Sequence, residues 1–424
     1  MVSAKRVALI GFDCAIPLRL EALIEEGVLP NFAAFKKNGS YMSEGYNLPT
    51  VTPPSWATIA TGAYPRTHGV EDFYYYVEGR SLEHKKTVQG FGSEIVKAET
   101  IWDRWDRAGK KCLVVNYPMS WPSRMKNGIM LMGQGMSPAE LRFMEPGNAH
   151  KEFLAAESVI STEIFAQGHK IVFDKARGWK NLPQGEDFVE FTVQIDFRES
   201  VWPLQPQTWH GLAWASETEE EGINRFALAG EKDYQKAFFS LLVGEWSPPI
   251  EKDFIVSSDN HTEKGVFRAK LMELSDDAES FKLYISSISG RNGFIEPPEA
   301  ATAIDFSKVI TANDIGLVSL LGGIIDPQTV VELASFHSEW LGNAAVGLIK
   351  ANPDWDLFYL HAHNIDWFYH AFLTDMDSPD PAVRKRARDL EREIYRIEDR
   401  FLGRLLEQLT EDDLVVICSD HGAT

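Results

Sequence analysis

Asp13, Thr52, Asp366, His370, Asp420 and His421 are the residues of this 424-residue chain whose types and positions could carry chemistry. Asp13 directly follows the apolar run 7–12 (VALIGF), and Asp420 and His421 directly follow 414–419 (LVVICS). Asp366 and His370 come shortly after 357–361 (LFYLH) and are four residues apart. On a helical turn that spacing puts both on one face, within reach of one ion. Carboxylate and imidazole ligands suit zinc and manganese alike. In open parallel sheets, sites form at the carboxyl ends of strands. A single Asp after a strand is ordinarily a turn residue or a helix cap, so the signal lies in the recurrence across separate segments.

The remaining segment is 49–62 (PTVTPPSWATIATG). Thr52 stands just before Pro53-Pro54 and a predicted helix, at an N-cap position, and a good N-cap is its plain structural role. Its functional reading is a nucleophile at a helix N-terminus, where backbone N–H groups and the dipole favour a phosphate. A Thr hydroxyl is inert at neutral pH without a base or a metal, and the carboxylates and histidines above are suited to hold that metal.

The elements that must position these residues read as α/β. Buried strands are predicted at 7–12, 112–116 (CLVVN), 357–361 and 414–419, as continuous apolar runs typical of a parallel sheet covered on both faces. Helices are predicted at 17–26, 31–37, 53–61 and 101–108, closed by Gly27, Gly39, Gly62 and Gly109. A long helix over 381–406 carries an apolar stripe at Ala387, Leu390, Ile394, Ile397, Phe401 and Leu405, a spacing that docks on a sheet. From about 187 to 289 the pattern turns strand-like, with runs at 188–197, 267–272 and 281–287, and with Trp202, Trp209, Trp214 and Trp246 between and within them. Three parts follow: residues 1–135 as the first part of an α/β catalytic core, 136–330 as a β-rich insertion or cap, and 331–424 as the second part of the core.

Composition bounds the function. Hydrophobic residues make up 44% and charged residues 25%, enough for a sizeable core. The 62 acidic against 42 basic residues give a net charge of −20, which argues against a nucleic-acid polymer or an anionic membrane as partner. A small phosphate substrate stays compatible, because a bound metal reverses the local sign. Cys14, Cys112 and Cys418 show no disulfide or zinc-knuckle spacing. The N-terminus lacks a signal-peptide pattern and the longest apolar stretch, 315–325, is short of a membrane span, so a cytoplasmic protein is expected.

With GFD at 11–13, LPNF at 29–32, TPPSWATIATG at 52–62, HGVEDF at 68–73, GEWSP at 244–248, DWFYH at 366–370 and SDHG at 419–422, the chain resembles the alkaline phosphatase superfamily. It is most similar to the type I phosphodiesterase/nucleotide pyrophosphatase group, in the branch of predicted phosphohydrolases and phosphomutases. The resemblance implies an alkaline-phosphatase-like, mostly parallel sheet flanked by helices. It implies two divalent metals, zinc with manganese as the alternative, one held by Asp13, Thr52, Asp420 and His421 and the other by Asp366 and His370. It implies attack by Thr52 on a small phosphate ester, a phosphodiester or nucleotide pyrophosphate, through a covalent phospho-threonine.

Departures from the family pattern matter as much. The family's further histidine for the second metal lies well after the SDHG motif, and no residue of this sequence occupies that place; the expectation is that the C-terminal part of the core is missing from it. The alternative is a divergent site borrowing His361 or His363, otherwise read as a packed strand residue and a surface residue. Where the nucleotide-pyrophosphatase group has an Asn that contacts a phosphoryl oxygen, this chain has Phe73. His68 is read as fixing the turn after the nucleophile helix, and Arg66 as a surface residue or phosphate contact. Trp56 stands where a sulfatase would need Arg, and Thr52 cannot become formylglycine, which disfavours a sulfatase. A phosphomonoesterase, a phosphomutase and a degenerate, non-enzymatic metal- or phosphate-binding relative remain as alternatives.

Overall fold

The computed structural model describes residues 5–42, 49–76, 87–132, 153–166, 168–197, 200, 203–216, 222–292, 294–305 and 316–423. The chain divides into two compact units: Met1–Met144 with Gly293–Phe306 and Val331–Thr424, and Glu145–Asn292 with Ser307–Val330.

The first unit is built on a six-stranded sheet. Its order is Ile295–Glu296, Ile129–Leu131, Cys112–Val115, Leu357–Ala362, Arg6–Phe12, Asp413–Cys418. All neighbours run parallel except Ile295–Glu296, which pairs antiparallel with Ile129–Leu131. The apolar runs behave as expected of strands covered on both faces: every residue of Cys112–Val115 and of Leu357–Ala362 is buried. Asp413–Cys418 is the edge strand, and Leu414 and Val416 are exposed there.

Register is what positions the site. Val7 pairs with Leu357 and Phe12 with Ala362, while Gly11 pairs with Cys418. The three strands that carry candidate residues are therefore adjacent, and their carboxyl ends are level. The ladder continues one step further, since the Asp13 amide donates to the Ala362 carbonyl at 2.9 Å. Two bonds then tie the turn after the first strand to the turn after the last: Cys14 N–H to Asp420 Oδ1 at 3.2 Å and Ala15 N–H to Ser419 Oγ at 2.9 Å.

The helices follow the predicted starts closely: Pro17–Glu25, Pro30–Asn38, Thr52–Thr61, Ile101–Arg107 and Pro381–Leu406. The predicted stripe of the last helix is buried throughout. That helix also caps another. Leu29, the residue before Pro30–Asn38, has no side-chain cap to offer. Instead Asp399 accepts the Asn31 and Phe32 amides at 3.0 and 2.9 Å, which satisfies first-turn donors that the helix leaves open.

The second unit consists of antiparallel sheets apart from one parallel pair, Ser158–Ser161 with Gly168–Lys170. A five-stranded sheet runs Ala237–Leu241, Arg225–Ala229, Gln207–Ala215, Glu186–Ile195, Asp174–Lys175, and two four-stranded sheets accompany it. The run 267–272 is not one strand. Arg268 separates Thr262–Phe267 from Ala269–Leu274, which belong to different sheets. Trp209 and Trp214 are buried in this unit's own interior, Trp209 stacked on Phe267 at 5.7 Å. Trp246 is half-buried against Tyr284, and Trp202 lies outside the described residues.

Two stability predictions follow from the first unit. Asp399→Ala leaves two helix amides and a buried pocket without their acceptor, and is expected to lower unfolding free energy by about 2 kcal/mol in urea denaturation; a loss below about 0.5 kcal/mol would show the cap to be idle. His337, wholly buried in the helix Pro327–Ala351, has its pKa pushed down to about 3 by burial and by the nearby His363. The unfolded chain then binds a proton near pH 6.5 that the folded one refuses. Stability should therefore fall as pH drops below about 6.5, by up to about 1.4 kcal/mol per unit, and His337→Gln should flatten that slope between about pH 6.5 and 5.

Candidate metal centre

Asp13 leaves the first strand fully buried, and its two oxygens have opposite surroundings. The Trp56 indole N–H donates to Oδ2 at 2.9 Å, while His361 Nε2 and His363 Nδ1 approach the same oxygen at 2.8 and 3.2 Å. Oδ1 is buried without a hydrogen bond. It lies 3.3 Å from His421 Nε2, and the equally orphaned Oδ2 of Asp420 lies 3.4 Å from that nitrogen. Thr52 Oγ1 is 3.0 Å from it as well.

His421 Nδ1 faces the Gly422 carbonyl at 2.9 Å. A carbonyl only accepts, so Nδ1 carries a proton, and Nε2 is the nitrogen turned toward the carboxylates and Thr52. Two carboxylate oxygens, an imidazole nitrogen and the Thr52 hydroxyl thus converge on one place. Buried acceptors in that arrangement call for a cation. Asp13, Asp420 and His421 have ligand atoms within 4.8 Å of one another, as do Asp13, His361 and His363, and Cys14, Asp366 and His421. The donor set fits a divalent metal of the zinc or manganese kind.

Asp366 and His370 sit in the first two turns of the helix Asn364–Met376, and the expected i,i+4 contact is made: His370 Nε2 is 3.2 Å from Asp366 Oδ2. His363 Nε2 reaches the same oxygen at 3.0 Å. The surface reading of His363 is therefore corrected. Its ring is buried and bridges Asp13 and Asp366, because the strand ends at Ala362 and His363 already occupies the entry to the helix. The H-x-H-x-x-D spacing of 361–366 was the available signal.

Electrostatics follow from burial and from these contacts. Burial works to raise the Asp13 carboxyl, yet His363 and His361 hold it well below the usual carboxylate range. Burial keeps His361 below its ordinary value, so His363, between two carboxylates, is the imidazole held well above. Asp420 is pushed well up by burial and by the charge of Asp13. Asp366, although buried, is lowered by hydrogen bonds to His363 and His370, and His370 is raised in return. Among the described residues no Lys or Arg pairs with these three carboxylates.

Thr52 is the first residue of its helix rather than the N-cap. Val51 takes the cap position and offers no side-chain bond. Pro53 and Pro54 have no N–H, and the Ser55 amide is used on the Val51 carbonyl at 3.2 Å. The helix end therefore offers a phosphate fewer amides than the open set of donors expected from the sequence, the Thr52 amide among those that remain. Thr52, Phe73, Asp366, Tyr369, His370 and His421 line an open cleft of about 260 Å³. His68 is buried, with Nε2 3.0 Å from Thr58 Oγ1 and Nδ1 accepting the Val70 amide, which fixes the turn after the helix. Arg66 is exposed.

Trp56 is the functional residue the sequence reading passed over. It lies four residues after Thr52, on the same helix face, and its ring is fully buried. A Cβ at Gly11 would meet that ring at 2.4 Å, so the glycine of the GFD motif is the space the indole needs to reach Asp13.

The model of the type I phosphodiesterase/nucleotide pyrophosphatase family matches residues 7–187 and 318–424. The chain belongs to this family. It thereby falls in the alkaline phosphatase superfamily, and the matched segments carry every candidate ligand described above. A comparison with curated protein sequences gives no match. Among solved structures, phosphonoacetate hydrolase from Sinorhizobium meliloti 1021 is similar at 14% identity, as its phosphonoformate complex (TM-score 0.39) and as its phosphonoacetate complex (TM-score 0.38). Each match covers 99% of this chain and 57% of that one, so the chain spans little more than half the length of that enzyme.

Trp56 tests the arrangement. Trp56→Phe keeps the packing and removes the donor to Asp13 Oδ2. It should weaken divalent-metal affinity by about 10- to 100-fold in a chelator competition. Unchanged affinity would show that the indole does not position the carboxylate.

Proposed function

We propose that this chain hydrolyses a phosphate ester, a phosphodiester or nucleotide pyrophosphate, with Thr52 as the nucleophile. Asp13, Thr52, Asp420 and His421 would hold one divalent ion, and Asp366 with His370 the other, zinc or manganese in each case. The observation that carries this reading is the position of Thr52 Oγ1, 3.0 Å from His421 Nε2 and beside the two orphaned carboxylate oxygens. Such ions supply Lewis acidity, drawing charge from the phosphoryl oxygens and making a hydroxyl or water nucleophilic at neutral pH.

The chain's own residues do the rest. Thr52 Oγ1, 3.0 Å from His421 Nε2, lies at the wall of the cleft. The oxygen forms a bond to phosphorus as the bond to the leaving alkoxide breaks, the Thr52 proton ending on that alkoxide, and water then cleaves the phospho-threonine, one of its protons restoring the hydroxyl. The Thr52 amide is one backbone donor available to a phosphoryl oxygen. Phe73 contributes an apolar wall where a polar contact would favour a second charged oxygen, which supports a diester over a monoester.

Thr52→Ala is the decisive variant. With zinc or manganese added, it should lower turnover of an aryl phosphodiester by about a thousandfold or more while thermal stability stays within a few degrees of the parent. Retained turnover would remove Thr52 from the mechanism, and a preference of the parent for the matching monoester would move the reading to a phosphatase or mutase.

A further inference from the structure

The helix Asn364–Met376 carries Asp366 and His370, and a neighbouring helix holds it at two points. Glu391 and Glu398 lie on Pro381–Leu406, two turns apart and wholly buried. Glu398 Oε1 accepts Asn364 Nδ2 at 2.7 Å and the Ser338 hydroxyl at 2.7 Å. Glu391 Oε1 accepts the Tyr369 hydroxyl at 2.8 Å, and the Arg19 guanidinium pairs with both oxygens of that carboxylate. Asn364 precedes Asp366 in the helix, and Tyr369 stands between Asp366 and His370. The two held points therefore bracket Asp366.

We propose that Glu398 and Glu391 are positioning residues for the metal centre, fixing the rotation and advance of the helix that presents Asp366 and His370. This rests on the reading that Asp366 and His370 hold a divalent ion.

Three observations set Glu398 apart from a residue that serves packing alone. First, Glu391 has Arg19 as its counter-charge, whereas no Lys or Arg among the described residues pairs with Glu398. Its Oε2 and the Asn364 Oδ1 are buried without a hydrogen bond. A carboxyl so placed serves a core less well than a leucine of similar volume. Second, the contacts it makes are not needed to satisfy its neighbours. Without Glu398, Asn364 Nδ2 keeps the Ser338 hydroxyl at 2.8 Å and the Ala334 carbonyl at 3.2 Å. Third, Asn364 is the first residue of its helix and directly follows His363, the ring that bridges Asp13 and Asp366. A rotation at this corner moves those groups together, and contacts that orient metal ligands govern affinity nearly as strongly as the ligands do. Asp399, the next residue along, supplies the contrast. It caps the helix Pro30–Asn38, which carries no candidate ligand.

The test uses the whole chain, stripped with a chelator and titrated with cobalt(II), whose visible absorption reports the geometry of its ligands. The part of the absorption lost in Asp366→Asn identifies the ion held by the helix. In Glu398→Leu that part should change shape and the ion should bind about tenfold more weakly or worse, while the unfolding midpoint stays within a few degrees of the parent. Glu398→Gln keeps an acceptor oxygen for Asn364 and should restore affinity to within about threefold. Asp399→Ala should do the converse, losing stability and keeping the cobalt absorption and affinity. Tyr369→Phe removes the hydroxyl bond to Glu391 at nearly constant volume and should weaken the same ion, which keeps the test open if Glu398→Leu does not fold. Parent-like cobalt binding in Glu398→Leu or in Tyr369→Phe, or equal weakening in Asp399→Ala, would overturn the positioning role and leave the metal reading intact. A parent that binds no cobalt, or whose absorption is unaltered by Asp366→Asn, would overturn both.

Discussion

A carboxylate removed from water must be compensated, and the architecture around Asp13 is organised by that requirement. One oxygen is occupied by the Trp56 indole and two imidazoles, and the other is left facing His421 without a partner. The division fixes the plane of the carboxylate and aims its free oxygen at one place. Several remote choices then become intelligible. Gly11 lacks a side chain because the indole needs that volume. The Tyr117 hydroxyl bonds the Trp56 carbonyl at 3.0 Å, and the Asn116 amide group bonds the His361 carbonyl, so the neighbouring strand end braces two of the three partners of Asp13.

The sheet order serves the same end. Placing the first strand between Leu357–Ala362 and Asp413–Cys418 makes three strand ends coincide, and each delivers candidate ligands from a different local structure. Asp13 arrives from a turn, Asp366 and His370 from the first two turns of a helix, and Asp420 with His421 from an extended segment. Thr52 comes on a separate helix whose consecutive prolines, Pro53 and Pro54, remove two of its N-terminal donors.

Much of this could be read from residue order. Continuous apolar runs located the buried strands, and the 3/4 stripe of Pro381–Leu406 matched the helix end to end, because burial on one face imposes that period. The i,i+4 pairing of Asp366 and His370 was legible for the same reason. What escaped depended on tertiary contact. Thr52 looked like a cap, yet proline fits any position of a first turn, so the boundary slid by one residue. Arg268 gives no sign that it divides one apolar run between two sheets. The burial of His363 and the role of Trp56 exist only once the strands are side by side, and a lone histidine or tryptophan carries no mark of its neighbour.

The strand order also has a consequence for synthesis. The first strand is made well before the two strands that flank it, at 357–362 and 413–418. At ribosomal rates of about 5–20 residues per second, it waits on the order of 20–70 s for its first partner. During that interval a fully apolar segment and the carboxylate it carries have no native neighbours on either side. Among the described residues, the strands of Glu145–Asn292 pair only with one another and are free to do so meanwhile, whereas the six-stranded sheet cannot close on its first strand until both later partners have been made.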